Sequence, residues 1–411
     1  MVKMGSPELG AAHLSTNGPV IFPSMLFKSD TAFADTRPHY ALLDGLRGVA
    51  ALLVLWYHVF EGYAFASGRE PITVINHGYL AVDFFFILSG FVISYAYDKR
   101  WQRGTLTMHG FFCRRLIRLH PMVVMGAVIG LVCYFIQGGT TWGGTHVAPS
   151  LVMLALLCAM FFIPALPGSC YDVRGNGEMF PLNGPAWSLF FEYIGNLLYA
   201  LLIRHLSNRA LAVLVGLLGV ALAWFTVSDA AGYGMFGVGW TLDGLNFVGG
   251  SVRMLFPFTM GMLLQRHFRP VAVRGAFWIC AAVLVAIFHV PYIAPVGGLC
   301  LNGVYEAACI IIVFPILIWL AASGATTDRF STRTCTFLGD ISFPLYIVHY
   351  PLMYIFYAWL IETKRYTLGE TWPQALATCV GSIVLAYACL KLYDLPLRHW
   401  LTARCRRWLR A

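Results

Sequence analysis

The stretch that decides the fold is LDGLRGVAALLVLWYH, residues 43–58. It is apolar for long enough to begin a crossing of a lipid bilayer, yet it holds Arg47 near its start and His58 eleven residues later. A charged side chain within the hydrocarbon costs about 2.5–3.5 kcal/mol on insertion scales. Other parts of the protein must therefore surround both side chains, and we predict that Arg47 and His58 face one interior cavity.

The composition places the chain in a membrane. Its 411 residues are 59% hydrophobic and only 11% charged, whereas about 25% of the residues of a soluble domain are charged. The formal net charge of +9 indicates basic cytoplasmic loops rather than nucleic-acid binding. The 11 cysteines show no spacing typical of a metal site, so no metal is predicted. A disulfide between Cys170 and Cys300 is left open.

Long apolar segments predict an all-α, polytopic membrane helix bundle, because each spanning helix needs about 20 apolar residues. The candidate spans are 41–63, 78–97, 117–136, 149–164, 187–203, 210–227, 252–265, 275–293, 302–321, 341–361 and 374–394.

Basic residues decide which of these segments cross. The segment from Asp98 to Arg118 is rich in Lys and Arg and should be cytoplasmic. If 149–164 crossed, every later basic cluster would lie outside, whereas a re-entrant or interfacial 149–164 returns them all to the cytoplasm. We therefore predict about ten spanning helices, with both termini cytoplasmic.

The same pattern predicts three regions of the chain. Residues 1–38 are expected to form a disordered cytoplasmic tail, because they are mixed and rich in Gly, Pro and Ser. Residues 39–396 form the transmembrane domain, and residues 397–411 form a basic cytoplasmic tail.

Arg47 and His58 lie on one face of the first helix, because eleven residues make close to three turns. They are about 16 Å apart along the helix axis. Arg47 is expected near the cytoplasmic mouth, where a guanidinium can bind an anion. His58 is expected deeper, where a neutral imidazole can accept a proton from a hydroxyl. In the alternative interpretation, Arg47 extends to the interface and His58 hydrogen-bonds a neighbouring helix.

Two carboxylates are expected at the depth of His58. Asp83 lies about one turn below the outer end of the second span, where it could orient the imidazole as the acid of a triad does. Glu192 lies at a similar depth in the span that opens with Trp187. His58, Asp83 and Glu192 are therefore the predicted catalytic residues, although Asp83 could instead be a polar residue at the headgroup boundary.

Arginines at the start of the third span predict an anion site. Arg114, Arg115 and Arg118 are spaced so that Arg114 and Arg118 share a face, and arginine binds phosphate in a bidentate manner. One alternative is positive-inside anchoring. The other is a phosphate clamp, with Arg47 contributing, that would fit the phosphates of a cytoplasmic coenzyme A thioester.

Three further residues are predicted to line the cavity on the substrate side. Trp187 and Ser188 open the fifth span near the outer surface. His349 lies near mid-membrane, two residues before Pro351, which interrupts the helical hydrogen bonds there.

Read in order, these motifs resemble those of the acyltransferase 3 family of polytopic membrane acyltransferases, the OafA/YrhL type. The resemblance covers about residues 40–400. It comprises LDGLRG with His58, GYLAVDFFFILSG (78–90), RRLIRLHP (114–121), WSL with Glu192, ISFPLY (341–346) with His349, and YDLPLR (393–398). Two positions depart from the family pattern: Asp394 replaces a glutamate, and His120 stands where an aromatic residue is more frequent.

The resemblance implies transfer of an acyl group, usually acetyl, from acyl-CoA at the cytoplasmic face to a hydroxyl, most often of a cell-envelope carbohydrate. It also implies a bacterial inner membrane, with acyl-CoA, the acceptor and the lipid bilayer as partners and no nucleic acid or metal. Many relatives add a soluble SGNH domain after the last span, and we expect a standalone member here.

Two other functional classes remain as alternatives. Intramembrane Asp, Glu and His also serve proton-coupled transporters, which commonly contain inverted repeats, and no repeat is visible in the sequence. A haem protein would need His58 and His349 as facing ligands.

Overall fold

The computed structural model describes residues 40–68, 72, 74–271, 273–324, 326 and 328–405. The predicted tail at 1–38 and the final residues 406–411 lie outside the described residues. Within the described ranges the chain forms α-helices and no β-strand, which confirms the predicted all-α class. The helices are α1 Ala41–Ser67, α2 Ala81–Gln102, α3 Met108–Ile136, α4 Pro149–Met160, α5 Ala186–Leu201, α6 Asn208–Val227, α7 Gly244–Arg266, α8 Ala276–Phe288, α9 Leu301–Ala308, α10 Phe314–Ser323, α11 Arg329–Thr363, α12 Leu368–Cys389 and α13 Leu395–Arg404.

Nine helices of the described chain are long and apolar enough to span a bilayer, against about ten predicted. Two of these spans are interrupted by a π-helical turn, at Cys309–Val313 between α9 and α10 and at Leu390–Asp394 between α12 and α13. The predicted span at 275–293 is the exception, because its helix α8 has only 13 residues.

Helix α8 nevertheless joins the two ends of the bundle. The preceding helix, α7, ends where the Arg266 Nε donates to Asp98 at 2.9 Å. At the opposite end, the backbone N–H of His77 donates to the carbonyl of Phe288, the last residue of α8, at 3.1 Å. The His77 ring also hydrogen-bonds Asn302 at the start of α9 at 2.9 Å. The chain between α7 and α9 therefore runs from one end of the bundle to the other.

Helix α4 enters the bundle and does not cross it. Its 12 residues extend about 18 Å, short of the roughly 30 Å hydrocarbon core. Just after its end, the ring of Phe162 lies 4.8 Å from Tyr193 in the middle of α5 and 6.2 Å from His120 in the middle of α3. The chain then returns to the end from which α5 begins. Of the two predicted possibilities for 149–164, this geometry favours the re-entrant one.

Basic residues gather at one end of the bundle. We call it the basic end and define it by Arg204, Arg266 and Asp98, the carboxylate that pairs with Arg266. The Arg204 guanidinium lies 4.0 Å from the ring centroid of Trp101, and Arg266 also donates to the carbonyl of Leu206 at 2.8 Å. The loop between α5 and α6 is therefore at the same end as the basic segment after α2. That arrangement follows only if 149–164 does not cross.

The predicted boundary at residue 396 falls within a continuous helix, Leu368–Arg404. Residues 397–404 are helical in α13, where Arg398 is buried against Asp394 in an ion pair. Because these two residues lie four apart on one helix, their ion pair supports the continuation of that helix past residue 396. Cys170 and Cys300 are both free thiols.

Glycines allow α2 and α7 to touch along their backbones. A Cβ on Gly90 would lie 1.9 Å from the carbonyl oxygen of Phe258, and a Cβ on Gly261 would lie 1.9 Å from that of Ile87. Small residues of this kind let membrane helices approach closely where the hydrophobic effect supplies no driving force.

We predict that Gly261→Ala lowers stability by at least about 2 kcal/mol, because the added methyl group meets backbone that cannot move without separating α2 from α7. Gly216→Ala is the matched control. A Cβ there has no neighbour within 4 Å, so helix propensity alone should stabilise α6 by up to about 1 kcal/mol. Thermal unfolding of the detergent-solubilised protein measures both effects, and equal midpoints for the two variants would contradict the prediction.

Candidate functional site

Two cavities meet inside the bundle. The first, called the arginine cavity, has a volume of about 110 Å³ and contains Arg47, Arg115 and Arg118. The second, called the histidine cavity, has a volume of about 280 Å³ and contains His58. Val82 and Tyr346 line both cavities. Arg47 and His58 therefore face two adjoining cavities rather than the one predicted.

The arginine cavity is positively charged. The Arg115 Nη2 donates to the Glu192 carboxylate at 2.7 Å, and Arg47 lies 3.2 Å from Asp44 and donates to Ser342 at 2.7 Å. Arg118 makes no hydrogen bond or ion pair with a described residue. Three guanidinium groups against one carboxylate among the lining residues leave a net positive charge for an anionic ligand.

Of the three arginines predicted on α3, the structure brings Arg115 and Arg118 to this cavity, and Arg114 is not among its lining residues. The reason is the position of α5. It supplies Glu192 as the partner of Arg115, which lies one turn from Arg118 on the same helix.

Glu192 lies in the arginine cavity and not at the level of His58, which corrects the predicted depth. Its carboxylate accepts hydrogen bonds from Arg115 and, at 2.8 Å, from the Ser89 hydroxyl. Trp187 lies five residues earlier, near the start of α5, and lines the histidine cavity. Glu192 lies about 7.5 Å further along the helix axis than Trp187, at the arginine cavity.

The histidine cavity contains a His–Glu pair formed within one helix. The Nδ1 of His58 lies 2.7 Å from the Oε2 of Glu61. Tyr350 also donates to this oxygen at 3.1 Å, and the Tyr357 hydroxyl lies 3.0 Å from it and 2.6 Å from the carbonyl oxygen of His58. A carboxylate can only accept a hydrogen bond, so Nδ1 is the donor; in the neutral imidazole, Nε2 then carries the lone pair that can accept a proton.

Asp83 does not contact His58, contrary to the prediction that it orients the imidazole. Its carboxylate is fully buried and forms a bidentate ion pair with Arg253, at 2.7 and 3.2 Å. Arg253 also donates to the backbone carbonyls of Tyr79 and Val238 at 3.0 and 2.9 Å. The physical reason is that a carboxylate without solvent pairs first with a guanidinium, and α7 supplies one at this depth.

His349, predicted to line the cavity on the substrate side, is among the lining residues of neither cavity. The ring of His349 is buried and stacks 5.2 Å from that of His58, and its Nδ1 donates to the carbonyl of Leu345 at 2.9 Å. Its Nε2 has no hydrogen-bond partner among the described residues. Ser188, which was predicted beside Trp187 on the substrate side, lines the arginine cavity instead.

Loops cover the histidine cavity with aromatic and polar side chains. Trp142, Trp240, Asn176 and Glu178 all line it. Asn176 donates to the Glu178 carboxylate at 2.9 Å, and burial raises the pKa of Glu178 above its ordinary value. The described residues hold no group of three or more His, Cys, Asp or Glu that could bind a metal ion.

Several of these contacts were missed from the sequence. Two of them carried a signal in the sequence. Glu61 is a carboxylate one turn after His58, and Arg253 is a charged residue within an apolar helix. The tyrosines at 346, 350, 354 and 357 recur at helical spacing on α11 and form one aromatic stripe.

We predict that Asp83→Asn costs about 3–5 kcal/mol of stability, because it leaves the buried Arg253 charge uncompensated. The double variant Asp83→Leu with Arg253→Met should recover part of that loss, since it removes both charges. Asp229→Asn, in a loop, is the control and should leave the unfolding midpoint nearly unchanged. A normal midpoint for Asp83→Asn, with activity alone lost, would show that Asp83 is not a structural partner.

Comparison with known proteins identifies the family of the helices that form these cavities. A family model described as an acyltransferase domain matches residues 40–391, which is most of the chain. No solved structure matches the chain significantly.

Three curated relatives differ in how much of the chain they cover. Protein 2 in the picA locus of Rhizobium radiobacter is 37% identical over 167 residues, which are 39% of this chain and 81% of that protein. The acyltransferase MdmB of Streptomyces mycarofaciens is 27% identical over 366 residues, 84% of this chain and 87% of that protein. The peptidoglycan O-acetyltransferase OatA of Listeria monocytogenes is 23% identical over 382 residues, 88% of this chain and 56% of that protein.

The family match extends over the helices that build both cavities, from α1 through the π-helical turn after α12. It agrees with the motif resemblance and favours an acyl-transferring enzyme over a transporter. The chain therefore belongs to the acyltransferase 3 family of membrane O-acyltransferases.

Proposed function

We propose that this membrane O-acyltransferase takes an acyl group, most simply acetyl, from acyl-CoA at the arginine cavity and transfers it to a carbohydrate hydroxyl in the histidine cavity. The observation that carries the proposal is that a cationic cavity and a cavity with a His–Glu pair share Val82 and Tyr346. A donor and an acceptor could approach that wall from opposite sides.

The donor side is assigned by charge. Arg47 and Arg115 are already engaged by carboxylates and hydroxyls, whereas Arg118 has its donors available. A phosphate of coenzyme A would add the counter-charge that the cavity lacks, and arginine offers bidentate geometry for it. Arg114, which does not line this cavity, would contribute through the electrostatic field at its mouth.

The acceptor side is assigned by the His58–Glu61 pair. Glu61 would hold the imidazole in the tautomer with Nδ1 protonated and would stabilise the imidazolium that forms when Nε2 accepts a proton. An acceptor hydroxyl hydrogen-bonded to Nε2 would thereby become a nucleophile toward the thioester carbonyl. Glu192 and Asp83, engaged with Arg115 and Arg253, would act as positioning residues.

Carbohydrate is the acceptor class that the histidine cavity fits best. Trp142, Trp187 and Trp240 offer aromatic faces, and Asn176 and Glu178 offer polar groups that can bond hydroxyls. The relative from Listeria is named a peptidoglycan O-acetyltransferase, and peptidoglycan is a carbohydrate polymer of the cell envelope. His349 would not touch the acceptor itself; it would act by packing against the ring of His58.

The orientation follows from the basic end. If that end faces the cytoplasm, as the positive-inside rule predicts, the arginine cavity is reached from the compartment that holds acyl-CoA. The histidine cavity then opens to the outside, and both termini are cytoplasmic in a bacterial inner membrane.

Incubation of the purified protein with labelled acetyl-CoA and a panel of envelope glycans, followed by mass spectrometry, tests the proposal as a whole. Label on a glycan hydroxyl is the expected result. The proposal would be contradicted if the protein bound acetyl-CoA but transferred the acetyl group neither to a glycan nor to water.

We predict that Arg118→Ala weakens acetyl-CoA binding about tenfold to a hundredfold, because it removes a charge-assisted contact to phosphate. Arg209→Ala removes an exposed arginine near the same end of the bundle and is the matched control. Calorimetry measures both affinities, and the Arg118 contribution should shrink as salt is raised. Equal affinity for the two variants would remove Arg118 from the donor site.

We predict that His58→Ala abolishes transfer and that Glu61→Gln lowers kcat about 10²–10⁴-fold, because the amide no longer stabilises the imidazolium. His289→Ala removes an imidazole that lines neither cavity, and it should retain turnover. Initial rates at saturating acetyl-CoA give the comparison, with thermal midpoints as the control for folding. Full turnover in Glu61→Gln would show that the pair is structural only.

A further inference from the structure

The wall between the two cavities contains a tyrosine whose hydroxyl is not engaged by a carboxylate. Tyr346 lines both cavities, and its hydroxyl lies 2.7 Å from the Ser188 Oγ and 3.4 Å from the carbonyl oxygen of Pro185. The Ser188 hydroxyl itself donates to that carbonyl at 3.0 Å. When the Ser188 proton is used in that bond, the Tyr346 hydroxyl is the donor to the Ser188 Oγ.

The other tyrosines of the α11 stripe differ in this respect. Tyr350 donates to Glu61 and Tyr354 donates to Glu178, and the Tyr357 hydroxyl lies within hydrogen-bond distance of both Glu61 and the carbonyl oxygen of His58. A hydrogen bond to a carboxylate is roughly twice as strong as a neutral one. Tyr346 can therefore redirect its proton to a new acceptor at a smaller energetic cost than its three neighbours.

The position of Tyr346 also suits a reacting carbonyl group. Its ring centroid lies 6.1 Å from that of His349, which in turn lies 5.2 Å from that of His58. His58 and Tyr346 both line the histidine cavity, so the proposed base and this tyrosine face one space. Helix α5 begins at Ala186 beside this hydroxyl, so the positive end of its dipole adjoins any negative charge that forms there.

Building on the proposed function, we propose that Tyr346 is a further catalytic residue, whose hydroxyl donates a hydrogen bond to the thioester oxygen as that oxygen becomes negatively charged. The acceptor oxygen forms a bond to the carbonyl carbon while its proton passes to the Nε2 of His58. The carbonyl electron pair moves onto the oxygen held by Tyr346.

When this tetrahedral species collapses, the carbon–sulfur bond breaks and the His58 imidazolium protonates the departing thiolate. The products are the ester and free coenzyme A, so atoms and charge balance. Tyr346 then returns to the Ser188 Oγ, its partner in the resting protein.

Tyr346→Phe tests this role, because it removes one oxygen atom and keeps the ring that packs 5.6 Å from Phe85. We expect kcat to fall about 10²–10³-fold, as it does when a single oxyanion donor is removed elsewhere. Acetyl-CoA affinity and the pH dependence that reports His58 should be unchanged, since neither involves this hydroxyl.

Two companion variants separate catalysis from packing. Tyr305→Phe removes a tyrosine hydroxyl bonded to the carbonyl of Ile287 at 2.7 Å, away from both cavities, and should keep full turnover. Ser188→Ala removes the resting partner of Tyr346 but leaves its hydroxyl, so its loss of kcat should be at most about tenfold.

The outcomes are distinct. Turnover of Tyr346→Phe within about threefold of the unsubstituted protein overturns the role of Tyr346 and leaves the proposed function intact. An equal loss in Tyr346→Phe and Ser188→Ala, with acetyl-CoA affinity falling in both, would make the pair a structural partition and also overturn it. If the unsubstituted protein shows no His58-dependent transfer from acetyl-CoA, the proposed function fails, and this role fails with it.

Discussion

The contact between α1 and α11 is the constraint on which the site depends. Arg47 near one end of α1 is anchored to Ser342, and the His58–Glu61 pair eleven or more residues later is anchored by Tyr350 and Tyr357. All three anchoring residues belong to α11. Since a charged group facing lipid is strongly disfavoured, these polar contacts fix the rotation of α1 about its axis. Helix α11 thus fixes the positions of both Arg47, the cation on the donor side, and His58, the proposed base.

A second, independent support lies across the bundle. Asp83 and Arg253 join α2 to α7 at a point without solvent, and the glycines of the same two helices bring their backbones into contact. An ion pair at this depth resists sliding of one helix along the other, because a shift would leave two buried charges unpaired. The histidine cavity lies between this pair of helices and the α1–α11 pair. Its walls are therefore fixed on both sides.

The sequence predicted the architecture more accurately than the partners within it. Composition and the positive-inside pattern were sufficient for the polytopic bundle and for a non-crossing 149–164. The bundle and the non-crossing segment could be predicted because each depends on hydropathy and charge summed over many residues. The partner of His58 was predicted across helices, at Asp83, and lies within the same helix, at Glu61. Nothing in one sequence states how α2 is rotated, and that rotation decides whether Asp83 meets an imidazole or a guanidinium.

The depth of a side chain in the membrane was also difficult to predict from the sequence. Glu192 was placed level with His58 by counting from a helix end, yet helices start at different heights and tilt, so a turn or more is easily lost. Arg253 was overlooked although its helix is apolar, and only the packed structure gives it a role. For the arginines, the sequence pointed to the turn of α3 that reaches the arginine cavity. It could not show which members of that turn face inward, since that depends on where α5 places its carboxylate.

The re-entrant α4 has a consequence for how the chain is inserted into the membrane during synthesis. The 12 residues of α4 are about five to eight short of the roughly 17–20 apolar residues that a complete span needs. A modest apolar insertion in it would give the chain one extra crossing, and every helix from α5 onward would be inverted. The two cavities would then never be assembled from the same helices. The length of α4 thus sets the membrane orientation of every helix that follows it, whether or not any of its own side chains touches a substrate.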